Sequence, residues 1–196
     1  TVSEAIKKRH SARAFKDREV DLETVKNIIQ IAKQSPSGVN TQPWNVYVLS
    51  GDARDKLVNE ATSRYDQGKM DGQEYLVYPK EMPDWYKERR RAVGWAMYGA
   101  IGIEKGDTEK MMAQGRKNYE FFGAPVGIFI TVKNCVGPNG WGHVGHFIQN
   151  VCLLAIENGL ATCLQEAWAE LPKLVREHVD YPEDETLWCG IALGYE

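Results

Sequence analysis

Ser35-Pro36-Ser37-Gly38-Val39-Asn40-Thr41-Gln42-Pro43-Trp44 begins where a helical pattern stops and ends where a strand pattern starts. Its two prolines stiffen the stretch, and each restricts the residue before it. Gly38 permits a backbone conformation or a close approach that other residues resist. Ser35, Ser37, Asn40, Thr41 and Gln42 crowd side-chain donors and acceptors into one loop. Such a loop suits the polar edge of a ligand, and it equally suits an ordinary connection from helix to strand.

Working outward, Asp21 to Gln34 reads as an amphipathic helix capped by Asp21, with Leu22, Val25, Ile28, Ile29 and Ala32 on one face. Trp44 to Leu49 alternates as a strand and ends at Ser50-Gly51-Asp52, and Ala53 to Arg64 returns to helix. Thr1 to Lys8 is a short helix. Tyr65 to Asp84, with Gly68, Gly72, Pro79 and Pro83, reads as loop. Helices follow at Trp85 to Gly102 and Asp107 to Phe122. Ala124 to Val132 is a near-continuous apolar strand, as in a sheet buried on both faces. Lys133 to Trp141 reads as a Gly/Pro/Asn loop. His143 to Asn158 is a strongly apolar helix stopped by Gly159. Leu160 to Cys163 is a short strand, Leu171 to His178 a helix and Leu187 to Gly194 a final strand. Without repeats or strict βαβ spacing, the order predicts one α+β domain over 1–196, a central sheet covered by helices.

The 196 residues are enough for one domain with a substantial core. A net charge of −3 gives no field for nucleic acid. No apolar run is long enough to span a bilayer, so neither a membrane nor a nucleic acid is expected as partner. Cys135, Cys152, Cys163 and Cys189 are scattered without metal-site spacing, which points to buried, reduced thiols and a cytoplasmic setting.

Lys7-Lys8-Arg9-His10-Ser11-Ala12-Arg13 carries the chemistry. At a helix C-terminus these cations complement the dipole. In an extended segment Arg9, Ser11 and Arg13 project to one side and suit a phosphate. Trp85 to Gly102 has a cationic first half and an aromatic second half, suited to a lid, to a subunit surface or to plain surface. His143 and His146 lie one helical turn apart with no acidic ligand nearby, so no metal site is expected. The chain has no GxGxxG, phosphate-loop lysine or GxSxG motif. Arginines, an amide-rich loop and aromatics without an acid–base pair fit chemistry carried by an organic cofactor.

These pieces together resemble the FMN-dependent nitroreductases. The matching stretches are Arg9 to Arg13, Ser35 to Trp44, Tyr86 to Trp95, Phe121 to Val126, Gly159 to Cys163 with Gln165-Glu166, and Gly190 to Tyr195. The middle stretches resemble the nitrobenzoate-reductase branch. The resemblance implies an intertwined homodimer with a mixed or antiparallel sheet and FMN at the subunit interface. It implies NADH or NADPH as donor, a small aromatic acceptor (nitroaromatic or quinone-like) and ping-pong turnover. It places Arg9 and Ser11 at the FMN phosphate, His10 along the ribityl chain and Arg13 near the pyrimidine end of the flavin, which it tunes. Pro36, Ser37 and Asn40 would come from the other subunit, and Gln165, Glu166 and Ala167 would line the flavin. Residues 85–122 would form a helical lid, with Tyr86, Arg90, Trp95 and Tyr98 toward the acceptor. Relatives continue past the Gly-Tyr segment into an arm that wraps the partner and supplies another basic residue to the phosphate; this sequence stops at Glu196, so either it is shortened or its phosphate site lacks that contact. Reductive dehalogenation, flavin oxidation, or flavin binding without turnover are the alternatives on the same scaffold.

Overall fold

The 35–44 stretch does join a helix to a strand, in a computed structural model that describes residues 1–196. Helix α1 (Val2–Lys8) opens with Thr1 in a capping box with Glu4. Helix α2 (Leu22–Ala32) is capped by Asp21 and buries Val25, Ile28 and Ala32. Leu22, expected on that face, opens the first turn and is exposed. Strand β1 (Trp44–Ser50) runs straight into α3 (Gly51–Asp66). The expected turn is reduced to Gly51, whose φ of 53° a residue with a Cβ would resist.

Helices α4 (Asp84–Ala100) and α5 (Thr108–Arg116) follow. The helix expected to reach Phe122 stops at Arg116. Residues Lys117–Gly123 form short 3-10 turns in which Phe121 and Phe122 take left-handed φ angles of 51° and 53°. That backbone turns the Phe121 ring against Phe129 and Trp168, with ring centroids 5.7 and 4.8 Å away. Buried aromatic packing outweighs local preference here. Strand β2 (Val126–Lys133) leads to α6 (Pro138–Glu157). This helix starts five residues before the expected His143, because a proline at the first helical position begins a helix rather than breaking one. Strand β3 (Ala161–Gln165), a 3-10 turn (Glu166–Glu170), α7 (Pro172–Val179) and β4 (Glu185–Gly194) complete the order.

The sheet runs β1-β2-β4-β3, and all three pairings are antiparallel. Trp44, Val126, Ile128, Ile130 and Ile191 face the layer of α2 and α6. Leu49, Phe129, Leu187 and Ala192 face the layer of α3, α7 and the 3-10 turns. A bulge shifts the β2–β4 register between Ile130, opposite Cys189, and Thr131, opposite Leu187. Leu187 and Cys189, two residues apart, therefore point to opposite layers. Of the four free cysteines, Cys152, Cys163 and Cys189 are buried as expected, and Cys135 is exposed.

Candidate active site

Residues 9–13 leave α1 in extended form and lie along β3. Ser11 bridges Thr162 in parallel, and the Ala12 N–H donates to the Thr162 carbonyl at 3.0 Å. Ala12 is buried against the sheet. Around it His10 and Arg13 are exposed, and Arg9 and Ser11 are half-buried, so the expected strict alternation does not hold at His10. Arg13 donates only to the Ser11 carbonyl, at 3.3 Å, and neither arginine is ion-paired. Burial raises the Cys152 and Cys163 thiols, Cys163 to about 11, and the nearby Arg9 and Arg13 charges oppose that rise at Cys152 and Cys163 respectively. The His10 ring contacts the Lys8 carbonyl at 3.1 Å and the Glu196 carboxylate at 3.0 Å, and these bonds raise its pKa.

The 35–42 loop is fastened to α6 by a stripe of three side chains. The Gly38 N–H donates to His143 Nδ1 at 3.4 Å. His146 Nδ1 meets the Pro36 carbonyl at 3.3 Å, and Asn150 Nδ2 donates to Ser35 Oγ at 2.7 Å. Ser37 Oγ accepts from the Gln42 N–H at 2.9 Å, closing the loop on itself. Val39, Asn40 and Gln42 take left-handed φ angles of 44°, 56° and 46°. Such backbone in a β-branched residue is costly and persists where surroundings hold it. His143 and His146 are thus loop fasteners. No hydrogen bond or ion pair joins this loop to residues 9–13. Along α6, His143 and Cys152 are about 14 Å apart at 1.5 Å per residue.

Gln165 ends β3, and Glu166 and Ala167 begin the next turn. Gln165 is buried, its Nε2 donates to the Asn118 carbonyl at 2.6 Å, and its Oε1 has no partner. The Ala167 carbonyl accepts from the Tyr119 hydroxyl at 3.1 Å. Glu166 is exposed, yet desolvation by its neighbours raises its pKa. Residues 67–75, within the stretch read as loop, reach the same turn. The N–H groups of Asp71 and Gly72 donate to the Glu170 carbonyl at 3.0 and 3.2 Å. The Asp71 carboxylate caps α7 by accepting from Lys173 and Leu174 at 2.9 and 3.0 Å, and pairs with Arg64 at 3.1 Å. These are long-range pairings of scattered residues, and no local pattern announces them.

Helix α4 buries no residue. Arg90, Trp95 and Tyr98 line one cavity of about 390 Å³ with Met82, Lys87, Arg91 and Gly94. Tyr86 does not join them and packs on Trp85, with centroids 5.5 Å apart. Its opposite face, with Val93, Ala96, Met97 and Ala100, shares a second cavity of about 730 Å³ with Arg13 and Ala14. Val93, Ala96 and Ala100 carry no polar chemistry that would single them out in sequence.

Two arginines without carboxylates, a buried amide oxygen without a donor and a polar loop held by imidazoles fit a flat, phosphate-bearing group. Such a set of groups suits an enzyme whose chemistry an organic cofactor carries. The chain belongs to the nitroreductase family: residues 6–195 match the family's model. It is 36% identical to a 4-nitrobenzoate reductase of Nocardioides sp. (strain LMS-CY), over 97% of this chain and 78% of that one. It is 31% identical to a nitrobenzene nitroreductase of Ectopseudomonas oleovorans, over 99% and 86%. Among solved structures, the FMN-dependent nitroreductase NfnB from Mycobacterium smegmatis in complex with NADPH superposes with a TM-score of 0.93 at 29% identity, covering 99% and 87%.

Proposed function

We propose that this protein is an FMN-dependent oxidoreductase that transfers electrons from NADH or NADPH to nitroaromatic or quinone-like acceptors, as a cytoplasmic homodimer. The observation that carries the reading is the unpaired Arg9–Ser11–Arg13 row riding on β3 beside Gln165 to Ala167, in a member of this family. Arg9 and Ser11 would hold the FMN phosphate, a charge-assisted contact, and His10 would flank the ribityl chain. FMN, when bound, supplies the hydride and electron chemistry. Arg13 would set positive charge near the pyrimidine end, where a reduced flavin gathers negative charge, and so would favour uptake of electrons. A backbone N–H in 165–167 would orient the ring edge. No helix of the chain is long and apolar enough to cross a membrane.

Pro36, Ser37 and Asn40 would serve the partner's site. Their fastening to α6, apart from residues 9–13, supports that division. The donor and acceptor would then take turns over one exposed face, since nothing in the chain offers a separate nucleotide motif. Anaerobic addition of NADH or NADPH to the FMN-loaded protein should bleach the flavin absorbance, and an acceptor should restore it. Initial rates should give parallel double-reciprocal lines. A flavin that stays oxidised with both nicotinamides overturns the enzyme reading, and intersecting lines overturn the shared face.

A further inference from the structure

Tyr195 and Glu196 follow β4 and are gripped by the segment that carries Arg9, Ser11 and Arg13. The Lys16 N–H donates to the Tyr195 carbonyl at 2.8 Å, and Lys16 Nζ donates to the Glu196 carbonyl at 2.6 Å. The Arg18 guanidinium lies 3.8 Å from the centre of the Tyr195 ring. His10, between Arg9 and Ser11 in the chain, makes the fourth grip. Its Nε2 meets the Glu196 carboxylate at 3.0 Å while its Nδ1 meets the Lys8 carbonyl at 3.1 Å.

These two contacts fix the charge of the ring. A carbonyl and an ionised carboxylate can only accept, so both ring nitrogens must donate. An imidazole that donates from both is the imidazolium. His10 and Glu196 then form a neutral pair, one charge of each sign, beside the residues read as the phosphate site. Loss of one proton turns that pair into a net negative charge. The groups facing the ring act in opposite senses. The Lys8 carbonyl and the Glu196 carboxylate favour its protonated form and hold it above the ordinary histidine value, against desolvation and the Arg9 charge.

We propose that Glu196 is a positioning residue for the cofactor phosphate: it locks His10 as a cation, and the pair acts as a proton-controlled gate, neutral while the phosphate is held and repelling once the proton leaves. The proposal rests on the FMN reading above, which puts the phosphate at Arg9 and Ser11. With both of its nitrogens committed, His10 acts through its charge rather than by a bond to the phosphate. A unit charge about 8–12 Å from a doubly charged phosphate, at the dielectric of water, changes affinity about three- to sixfold.

The test titrates the apoprotein with FMN by flavin fluorescence, at low salt, from about pH 6 to about pH 9. FMN affinity in the parent should fall about three- to sixfold as pH rises through the His10 titration, which lies above the ordinary 6.5. The FMN phosphate itself titrates near about 6, alike for every variant. Glu196→Gln should bind FMN more tightly at alkaline pH and move the midpoint down, because a glutamine amide can donate to a neutral ring. His10→Gln should give a flat profile at the parent's weak end. Riboflavin, which lacks the phosphate, should show no fall. NMR titration of the His10 ring in the apoprotein gives a reading free of FMN, and its midpoint should drop in Glu196→Gln. An unmoved midpoint overturns the lock. A parent profile as flat as that of His10→Gln, or an equal fall with riboflavin, overturns the gate. If the parent binds no FMN at any pH, the cofactor reading fails instead. Inorganic phosphate added to the NMR titration then decides the proposal: a midpoint raised by phosphate supports it, and an unmoved one overturns it. Circular dichroism checks that the variants fold.

Discussion

At the scale of single residues, His143 and His146 show what a sequence motif can hide. An i, i+3 histidine pair invites a metal, and here both rings act as ties. His143 accepts the Gly38 N–H, so that nitrogen must be unprotonated in the bonded state. The ties matter because Val39, Asn40 and Gln42 are held in left-handed backbone between them. Removing one releases a strained loop rather than a cavity's worth of packing. His143→Ala/His146→Ala should therefore leave thermal unfolding nearly unchanged and weaken FMN retention about tenfold, the effect of losing roughly 1.4 kcal/mol of preorganisation. Fluorescence titration of the apoprotein with FMN measures it, and an unchanged affinity would show that the loop holds its shape unaided. The polar character of 35–42 and its place between a helix and a strand were legible in sequence. Their fasteners were not, since they lie more than a hundred positions away and join the loop only through the fold.

Among elements, regular patterns were read well and junctions poorly. The buried β2 strand follows from a continuous apolar run, and the apolar stripe of α6 from hydrophobic periodicity. The misread places are Arg116, where a helix gives way to 3-10 turns, and Pro138, where a presumed loop is a helix start. In each case a distant partner decides, or a proline plays its less familiar part. The cap of α7 is of the same kind. Its own N-cap residue, Leu171, has no side-chain oxygen to offer, and Asp71 supplies the acceptor from the irregular 67–83 segment. Asp71→Ala should cost about 1–2 kcal/mol of stability, since it removes a cap and leaves Arg64 short of a partner. Urea denaturation followed by circular dichroism measures it. A change below about 0.5 kcal/mol, the ordinary range for surface substitutions, would mean that water replaces the carboxylate.

For the molecule as a whole, the family and its α+β plan were legible because several weak stretches kept their order along almost the entire chain. Within one chain, residues 9–13 and 36–40 are joined by no hydrogen bond or ion pair, which is what a site divided between subunits requires. Sizing chromatography with absorbance detection should show FMN eluting only with a dimer, and a flavin-loaded monomer would refute the shared site. The strand order β1-β2-β4-β3 carries a further consequence, for the time course of synthesis. No two neighbouring strands are joined by a hairpin, and β4, which lies between β2 and β3, follows both in sequence. While a ribosome is still making residues 185–194, β2 lacks its inner neighbour and β3 has no strand beside it. Each ladder must close a long loop before it gains anything, which is slow and leaves apolar edges waiting. The nascent chain is thus most in need of a chaperone just before its sheet can close.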